Sequence, residues 1–193
     1  MLRIGLTGNI ASGKSAVANV WRRLGARIID ADVLARAAIA EGTPGHQRVL
    51  ETFGTADRAT LRDVIFRDPV RRRQLEQIIH PEVARLRQEK EAELERGGVH
   101  VVVNDIPLLF EAGLQNQVDV IVLVDAPRDV RIQRIIDNRD ITRAEAERMV
   151  DAQMPSEQKR SVADYVIDNS GTLEQLEQRA DETWRQLTAR ASA

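Results

Sequence analysis

The chain has 193 residues, of which 42% are hydrophobic and 30% are charged, and its formal net charge is −2. This composition is typical of one globular domain, or of a core with insertions, and the balanced charge disfavours nucleic acid as a partner. The lack of cysteine excludes disulfides, thiolate catalysis and cysteine-ligated zinc, and no apolar run approaches the roughly 20 residues of a membrane span.

Five short apolar runs, most of them rich in valine and isoleucine, predict five buried strands. They cover residues 3–7, 26–30, 99–104, 118–124 and 165–168, and helical patterns separate them. This alternation predicts an α/β fold with a parallel sheet that is covered by helices on both faces. Because the first strand begins almost at the N-terminus, we expect no signal peptide and a cytoplasmic location.

The loop after the first predicted strand carries the phosphate-binding P-loop motif. Residues 8–15 read Gly-Asn-Ile-Ala-Ser-Gly-Lys-Ser, which matches G-x-x-x-x-G-K-[ST] between a strand and a helix. In such a loop, backbone N–H groups and the N-terminus of the next helix converge on an anion. Lys14 would reach the β- and γ-phosphates, and the Ser15 hydroxyl would ligate Mg²⁺. A simple connecting turn is disfavoured, since Lys14 is one of only three lysines in the chain.

Acidic residues follow three of the predicted strands. Asp30 and Asp32 come at the end of the second strand, where a carboxylate would accept the proton of an attacking hydroxyl. A helix N-cap is the alternative role for Asp32, and the spacing leaves both roles open. Asp105 ends the third strand and is the expected Mg²⁺ ligand, with Asp125 after the fourth strand as a weaker competitor.

Residues 33–97, between the second and third predicted strands, are longer than a single crossover helix requires. Apolar spacing predicts one helix that ends before His80 and a second that begins at Pro81, because proline favours the first helical turn. Gly97 and Gly98 end the second helix. We interpret the excess as a helical insert at the carboxyl edge of the sheet, where open α/β sheets bind ligands. His80 is either a helix-start residue or a functional group.

A second long segment, residues 128–160, follows the fourth predicted strand and contains seven arginines. Within it, Thr142-x-x-Glu145 is a capping box, which predicts the start of a helix. For most of the arginines a solvated helix face is the simpler interpretation. In a lid-sized segment of a P-loop protein, one or two of them are expected to hold phosphates.

These features together favour a small-molecule phosphotransferase. The Asn-Lys-x-Asp motif that reads guanine is absent, which disfavours a GTPase switch. The length leaves little room for the extra domains of motor or transporter ATPases. Two alternatives stay open, namely a kinase of the same fold that acts on a nucleotide or a sugar, and a nucleotide-binding regulator without catalytic activity.

The motifs resemble those of the dephospho-CoA kinase family nearly from end to end. The resemblance rests on the P-loop, on residues 29–32 (Ile-Asp-Ala-Asp), 105–111 (Asp-Ile-Pro-Leu-Leu-Phe-Glu) and 163–169 (Ala-Asp-Tyr-Val-Ile-Asp-Asn), and on the pair His80-Pro81. The His-Pro pair together with Pro-Leu-Leu-Phe-Glu is far more specific than the P-loop alone. The resemblance implies ATP-dependent phosphorylation of the ribose 3′-hydroxyl of dephospho-CoA, which gives CoA and ADP and completes coenzyme A biosynthesis.

The resemblance also implies a division of the chain that agrees with the two long segments. A P-loop NTPase-type core would comprise residues 1–32, 98–127 and 161–193, with a helical CoA-binding insert at 33–97 and a helical lid at 128–160. The expected partners are the small molecules ATP and dephospho-CoA, with Mg²⁺ as the metal and with no nucleic acid or membrane. The expected assembly is a monomer or a small homo-oligomer.

The family pattern implies roles for individual residues. Asp32 would be the general base, Lys14 would contact the transferred phosphate, and Arg139 would be a lid arginine that faces the phosphates. The residues expected to bind ATP are Gly8, Asn9, Ile10, Ala11, Ser12, Gly13, Lys14, Ser15, Ala16 and Asn169. Those expected to bind the acceptor are Asp32, His80, Pro81, Leu108, Phe110 and Glu111, and those expected to hold Mg²⁺ are Ser15 and Asp105.

Three positions in the P-loop depart from the family pattern. Related sequences usually carry glycine where this chain has Asn9 and Ala11, and threonine where it has Ala16. Asparagine tolerates a positive φ better than most residues, so such a conformation would suit Asn9. Ala11 requires a right-handed or extended conformation, or else it carries strain.

Overall fold

The computed structural model describes residues 1–191 and, within that range, every side chain except that of Phe66. The chain forms two compact units, one made of Met1–Ile28 and Gly98–Ala193 and the other of Ile29–Gly97. The functional division into a core, an insert and a lid stays a prediction. Among residues 1–191, no helix has both the length and the apolar character needed to cross a bilayer.

The chain contains a five-stranded parallel sheet, most of which belongs to the first unit, and its strands have the order β2-β3-β1-β4-β5. The strands are β1 (Leu2–Gly8), β2 (Arg27–Asp30), β3 (Val101–Asp105), β4 (Val120–Asp125) and β5 (Tyr165–Asp168). The central strand β1 pairs in parallel with β3 and β4, and β4 pairs with β5. The predicted α/β fold with a five-stranded parallel sheet is therefore confirmed.

Residues 1–191 contain nine α-helices. They are α1 (Lys14–Arg23), α2 (Ala31–Ala38), α3 (Pro44–Phe53), α4 (Arg58–Arg67), α5 (Pro69–Arg96), α6 (Arg128–Asn138), α7 (Arg143–Asp151), α8 (Ser156–Arg160) and α9 (Leu173–Ala191). A short 3₁₀ helix covers Gln115–Gln117. The predicted capping box is confirmed at the start of α7, where Thr142 and Glu145 bond reciprocally.

The core of the first unit lies between the sheet and the helices α1 and α9. Trp21 and Trp184 both belong to it, with ring centroids 5.5 Å apart. The buried indole N–H of Trp21 donates to the carbonyl O of Ala180 at 2.8 Å, which satisfies the one polar atom of that side chain. Because this packing fixes α1, it also fixes the end of the loop that precedes α1.

The longest helix of the second unit is α5, which runs for 28 residues with Pro81 inside it. The prediction of two helices that meet at His80 and Pro81 is therefore wrong. Proline lacks an N–H donor and removes one hydrogen bond from a helix interior. Apolar packing offsets this loss, because Leu75 and its neighbours contact the buried Val49 and Leu61. The helix ends at Gly97, as the sequence predicts.

Candidate active site

The phosphate loop, which we define as residues 8–16, joins β1 to α1. Its two motif glycines are required by close approaches of neighbouring atoms. A Cβ at Gly8 would lie 2.6 Å from the carbonyl O of Val124, and a Cβ at Gly13 would lie 2.1 Å from Asn169 Nδ2. Gly13 also has a φ of 97°, which favours glycine. Larger residues at either position would push the loop away from the sheet or from Asn169.

Ala11 has a φ of 59° and is the only residue other than glycine with a positive φ in the described range 1–191. The left-handed conformation that would suit Asn9 therefore occurs at Ala11, where it costs an L-residue about 1–2 kcal/mol. Contacts hold this strained residue in place. Ala11 packs with Ile10 against a cluster that contains Ile132 and Ile135 of α6.

A cavity of about 1150 Å³ opens on the phosphate loop. Its lining residues are Gly8, Asn9, Ile10, Ala11, Ser12, Gly13, Lys14, Ser15, Ala16, Pro107, Leu108, Arg134, Asn138, Gln153, Asn169, Leu173 and Leu176. The structure thus brings together every residue that the sequence assigns to ATP binding. It adds the polar side chains of Arg134, Asn138 and Gln153.

Lys14 is the first residue of α1 and lines the cavity. Its ammonium donates to Asp105 Oδ1 at the end of β3, and both side chains are largely shielded from solvent. The strand register explains this pairing, since the last residues of β3 lie beside Leu6 of β1, just before the loop. The expected phosphate-contacting lysine and the expected metal ligand therefore form one ion pair at the cavity.

Arg134 of α6 holds the back of the phosphate loop. Its guanidinium donates to the carbonyl O of Ala11 at 3.2 Å and to the carbonyl O of Asn169 at 3.1 Å. Asn169, just after β5, in turn donates from Nδ2 to the carbonyl O of Ser12 at 2.7 Å. Two loop carbonyls thus have side-chain donors, which fixes the loop backbone without any ligand.

Arg139, which the sequence assigns to catalysis, lies elsewhere. It directly follows α6, is exposed, and donates to Met149 Sδ at 3.8 Å. It does not belong to the lining of the cavity. The structure brings Arg134 to the phosphate loop and leaves Arg139 at the surface between α6 and α7.

The turn that carries Asn169 is anchored by Asp168. Hydrogen bonds from the side chain and the backbone of Ser170 lower the pKa of the Asp168 carboxyl, and the charges of Arg179 and Arg160 lower it further. The carboxylate therefore stays ionised at neutral pH. Its contacts hold the end of β5, and with it the position of Asn169 beside the loop.

The segment 105–111 follows β3 and contains three of the predicted acceptor-binding residues. Leu108 is exposed and lines the cavity, whereas Phe110 is buried. Glu111 accepts a hydrogen bond at 2.7 Å from the ammonium of Lys159, which also lies 5.9 Å from the centroid of the Phe110 ring. Phe110 and Glu111 thus both contact a lysine for which the sequence predicts no role.

The second unit contains Asp32 and its neighbour Asp30. Asp30 is the N-cap of α2, and its carboxylate accepts from the backbone N–H groups of Asp32 at 2.8 Å and Val33 at 3.1 Å. The N-cap alternative for Asp32 is therefore wrong, because the helix begins at Ala31, two residues earlier than that role requires. Within the described part of its own unit, the Asp32 carboxylate accepts no hydrogen bond.

His80 and Pro81 lie in the middle of α5, and both are exposed. The interpretation of His80 as a helix-start residue is wrong for the same reason as the predicted helix break at Pro81. Neither residue has a partner that would define a chemical role within the described part of the second unit.

A comparison with family models finds that the dephospho-CoA kinase family matches residues 2–175. A dephospho-CoA kinase of Geobacter metallireducens is 45% identical to this chain over 194 residues, and the match covers 96% of each protein. Among solved structures, a crystal structure from Thermus thermophilus is similar with a TM-score of 0.82 and 38% identity, over 96% of this chain and 97% of that one. A dephospho-CoA kinase from Campylobacter jejuni has a TM-score of 0.73 at 22% identity, over 96% of each chain, and so shows the shared fold alone.

Proposed function

The chain belongs to the dephospho-CoA kinase family, and we propose that its cavity binds ATP and Mg²⁺ for phosphorylation of the ribose 3′-hydroxyl of dephospho-CoA. The products are CoA and ADP, and the reaction is the last step of coenzyme A biosynthesis. The observation that carries the proposal is the phosphate loop, which lines a cavity of about 1150 Å³ with the Lys14 side chain in its wall. Cytoplasmic location and oligomeric state stay predictions.

The phosphate loop supports a polyphosphate ligand through its charge and its rigidity. The first N–H groups of α1 have no partners within the helix, and they carry the positive end of the helix dipole. Lys14 adds an ammonium group at the same point, which is paired with Asp105 in this structure. Because Arg134 and Asn169 hold carbonyls of the loop, little of the binding energy is spent on ordering its backbone.

Mg²⁺ would fit this cavity if phosphate oxygens supply some of its ligands. Within residues 1–191, no three side chains of His, Cys, Asp or Glu come together as a metal cluster. Mg²⁺ bound to a nucleotide needs only one or two protein ligands besides phosphates and water. The Ser15 hydroxyl and the Asp105 carboxylate are the ligands that we propose, and they supply hard oxygen donors. The bound ion would neutralise charge that develops on the phosphate oxygens.

Asp32 is the proposed general base. A base must be within hydrogen-bond reach of the hydroxyl whose proton it takes, directly or through one water. The Asp30 carboxylate is engaged as the cap of α2, whereas the Asp32 carboxylate has no hydrogen-bond donor within the described part of its unit. Asp32 is therefore the member of the pair that is available to a substrate hydroxyl.

The acceptor-binding assignments of His80, Pro81, Leu108, Phe110 and Glu111 also stay proposals. The exposed imidazole of His80 supports a contact with a ligand more than a packing role. Leu108 supports one as well, since a leucine that is 48% exposed at a cavity wall offers apolar surface. Phe110 and Glu111 would affect acceptor binding indirectly, because Lys159 contacts both of them.

Two arginines have different proposed roles in the transfer. Arg134 positions the loop through its contact with the Ala11 carbonyl. For Arg139 we keep the role that the family pattern implies, which is a contact with phosphate. Arg139 would make this contact only after α6 and α7 move. The exposed position of Arg139 in this structure gives its side chain the freedom for such a movement.

The proposal is tested by ADP release from ATP and Mg²⁺ with purified protein and a choice of acceptors. We expect kcat/KM for dephospho-CoA to exceed the values for nucleoside monophosphates and gluconate by at least about 10²-fold, as hydrogen-bonded recognition allows. A preference for a nucleotide or a sugar would favour the rival kinase. ATP binding without transfer to any acceptor would favour the non-catalytic regulator.

A further inference from the structure

A completely buried lysine lies behind the phosphate loop. The Lys159 side chain is 0% exposed, and its ammonium has two short hydrogen bonds. One goes to Asn9 Oδ1 at 2.5 Å and the other to Glu111 Oε1 at 2.7 Å. Burial of an ammonium is costly unless it is paired and hydrogen-bonded, so the position of Lys159 depends on both partners.

The Asn9 side chain is fixed at both of its polar atoms. Its Nδ2 donates to the carbonyl O of Met154 and to Ser156 Oγ, each at 3.2 Å. Because an ammonium has donors and no acceptor, the oxygen of the Asn9 amide must be the atom that faces Lys159. A side chain at this loop position is therefore locked in one orientation by three neighbours, and Lys159 is the charged one.

The stretch from Gln153 to Lys159 holds a second loop residue as well. Gln153 Oε1 accepts from the backbone N–H of Ile10 at 2.7 Å. The backbone N–H of Met154 donates to Glu111 Oε1 at 3.2 Å. The same short stretch therefore contacts two successive residues of the phosphate loop and the acid at the end of the segment 105–111.

We propose that Lys159 is a positioning residue that couples ATP binding to acceptor binding. The coupling runs from the phosphate loop through Asn9 to the ammonium, and from the ammonium through Glu111 to the segment 105–111. A ligand that shifts the contacts at one end changes the affinity for the ligand at the other end, and the effect is reciprocal by linkage. The inference rests on the proposed function, because its second ligand is dephospho-CoA.

The test measures binding in the full-length protein by calorimetry. The dissociation constant of a non-hydrolysable ATP analogue is measured with and without saturating dephospho-CoA, and the ratio of the two values is the coupling factor. For the wild type we expect a factor of about 5–150, the usual range of such couplings. For Lys159→Met we expect a factor within about twofold of one, because methionine fills the space but joins neither partner.

Three further variants complete the test. Lys90→Met changes an exposed lysine of α5 and should retain the wild-type factor. Asn9→Gly removes the oxygen that Lys159 contacts, so it should lose the coupling to the same extent. In the double variant Asn9→Gly/Lys159→Met, we expect no loss beyond that of either single variant. If Lys159→Met does not fold, the coupling factor of Asn9→Gly alone tests the inference.

Loss of stability alone does not reproduce this pattern, because the coupling factor is a ratio of affinities in one folded protein. A wild-type factor in folded Lys159→Met or in Asn9→Gly would overturn the inference and leave the kinase assignment intact. A wild type without coupling would overturn it as well. A wild type that neither binds nor phosphorylates dephospho-CoA would overturn the proposed function first, and the coupling with it.

Discussion

The phosphate loop and the helical unit Ile29–Gly97 differ in how their polar side chains are held. Around the loop, Asn9, Lys159 and Asn169 are buried, and their hydrogen bonds lie in the protein interior. In the helical unit, the ion pair of Arg87 and Glu91 is buried, but the pair of Arg85 and Glu89 has both side chains more than half exposed. A buried polar contact is costly to break, whereas an exposed ion pair contributes about 0–1 kcal/mol.

This difference indicates where single substitutions should matter. The loop region is built as a rigid receptor for one ligand geometry, so the loss of one atom changes the geometry or the charge of the cavity. In the helical unit, Asp32 is expected to be the exception to a tolerant surface, since its carboxylate accepts no hydrogen bond within the described part of that unit. The following variants separate these two kinds of region.

Lys14→Ala should have the largest effect. Removal of a cation that stabilises charge on the transferred phosphoryl group should lower kcat by about 10²–10³-fold. The loss of its ion pair also leaves Asp105 without that partner, so we expect a small drop in the melting temperature as well. ADP release and thermal melting measure the two effects. Lys90→Ala is the matched control, and a folded Lys14→Ala enzyme with near-normal turnover would contradict the loop assignment.

Asp32→Asn should lower kcat by about 10²-fold, the usual contribution of a positioned base. Part of the loss will come from orientation of the hydroxyl, because a loose transition state needs little early deprotonation. The melting temperature should fall only slightly, since Asp30 rather than Asp32 caps α2 and the substitution removes only a charge in the first turn.

Asp30→Ala provides the contrast for Asp32→Asn. Loss of the cap of α2 should cost about 1 kcal/mol of stability. If Asp32→Asn lowered stability and left turnover intact, the assignment of the base would be wrong and Asp105 would be the next candidate. Thermal melting and steady-state kinetics on both variants distinguish these cases.

Arg134→Ala and Arg139→Ala should affect different kinetic constants. Arg134 holds the loop before ATP arrives, so its loss should raise KM for ATP by about tenfold. Arg139 would act only during turnover, so its loss should lower kcat by about tenfold with a smaller change in KM. Arg128→Ala is the control, because its guanidinium is exposed and pairs with Asp151. Equal small effects from Arg139→Ala and Arg128→Ala would favour the simpler interpretation, in which Arg139 belongs to a solvated helix face.

The sequence predicts the sheet and the loop well because their signals are local. Apolar runs marked all five strands, and the capping box at Thr142 and Glu145 marked the start of α7. The helix break predicted at Pro81 does not occur, since tertiary packing of α5 outweighs the lost hydrogen bond. The burial of Lys159 could not be predicted from the sequence, because a lysine beside Arg160 normally indicates a solvated surface.

Local sequence patterns also could not decide which of two nearby residues has a given role. Asp30 and Asp32 both suit an N-cap, and the helix start differs between the two interpretations by only two positions. Arg134 directly precedes the buried Ile135 of α6, whereas Arg139 follows the end of the helix. The role of Arg134 depends on long-range contacts with Ala11 and Asn169, which local patterns do not predict.

Ala11→Gly should have a smaller effect, and a favourable one. Glycine adopts the positive φ at this position without strain, so we expect a gain of about 1 kcal/mol and a rise in the melting temperature of roughly 2–4 °C. Ala16→Gly, within α1, should lower the melting temperature instead, because glycine weakens a helix interior. A fall with Ala11→Gly would mean that the methyl group contributes more through packing on α6 than the strain costs.

Arg85→Ala should have the smallest effect. Its partners Glu82 and Glu89 lie on the same helix, and the arginine is half exposed, so we expect a change in stability of about 0.5 kcal/mol or less. Chemical denaturation at low and at high salt checks both the size and the electrostatic origin. A loss comparable to that of a buried contact would remove the contrast between the two regions.

The central claim is tested most directly by the identity of the product. Wild-type protein is incubated with [γ-³²P]ATP, Mg²⁺ and dephospho-CoA, and the labelled product is compared with authentic CoA by chromatography and by cleavage with a 3′-specific phosphatase. The account predicts a product that co-migrates with CoA and loses its label to that phosphatase, with loss of the signal in Lys14→Ala. Label at another position, or on no acceptor at all while ATP is bound, would contradict it.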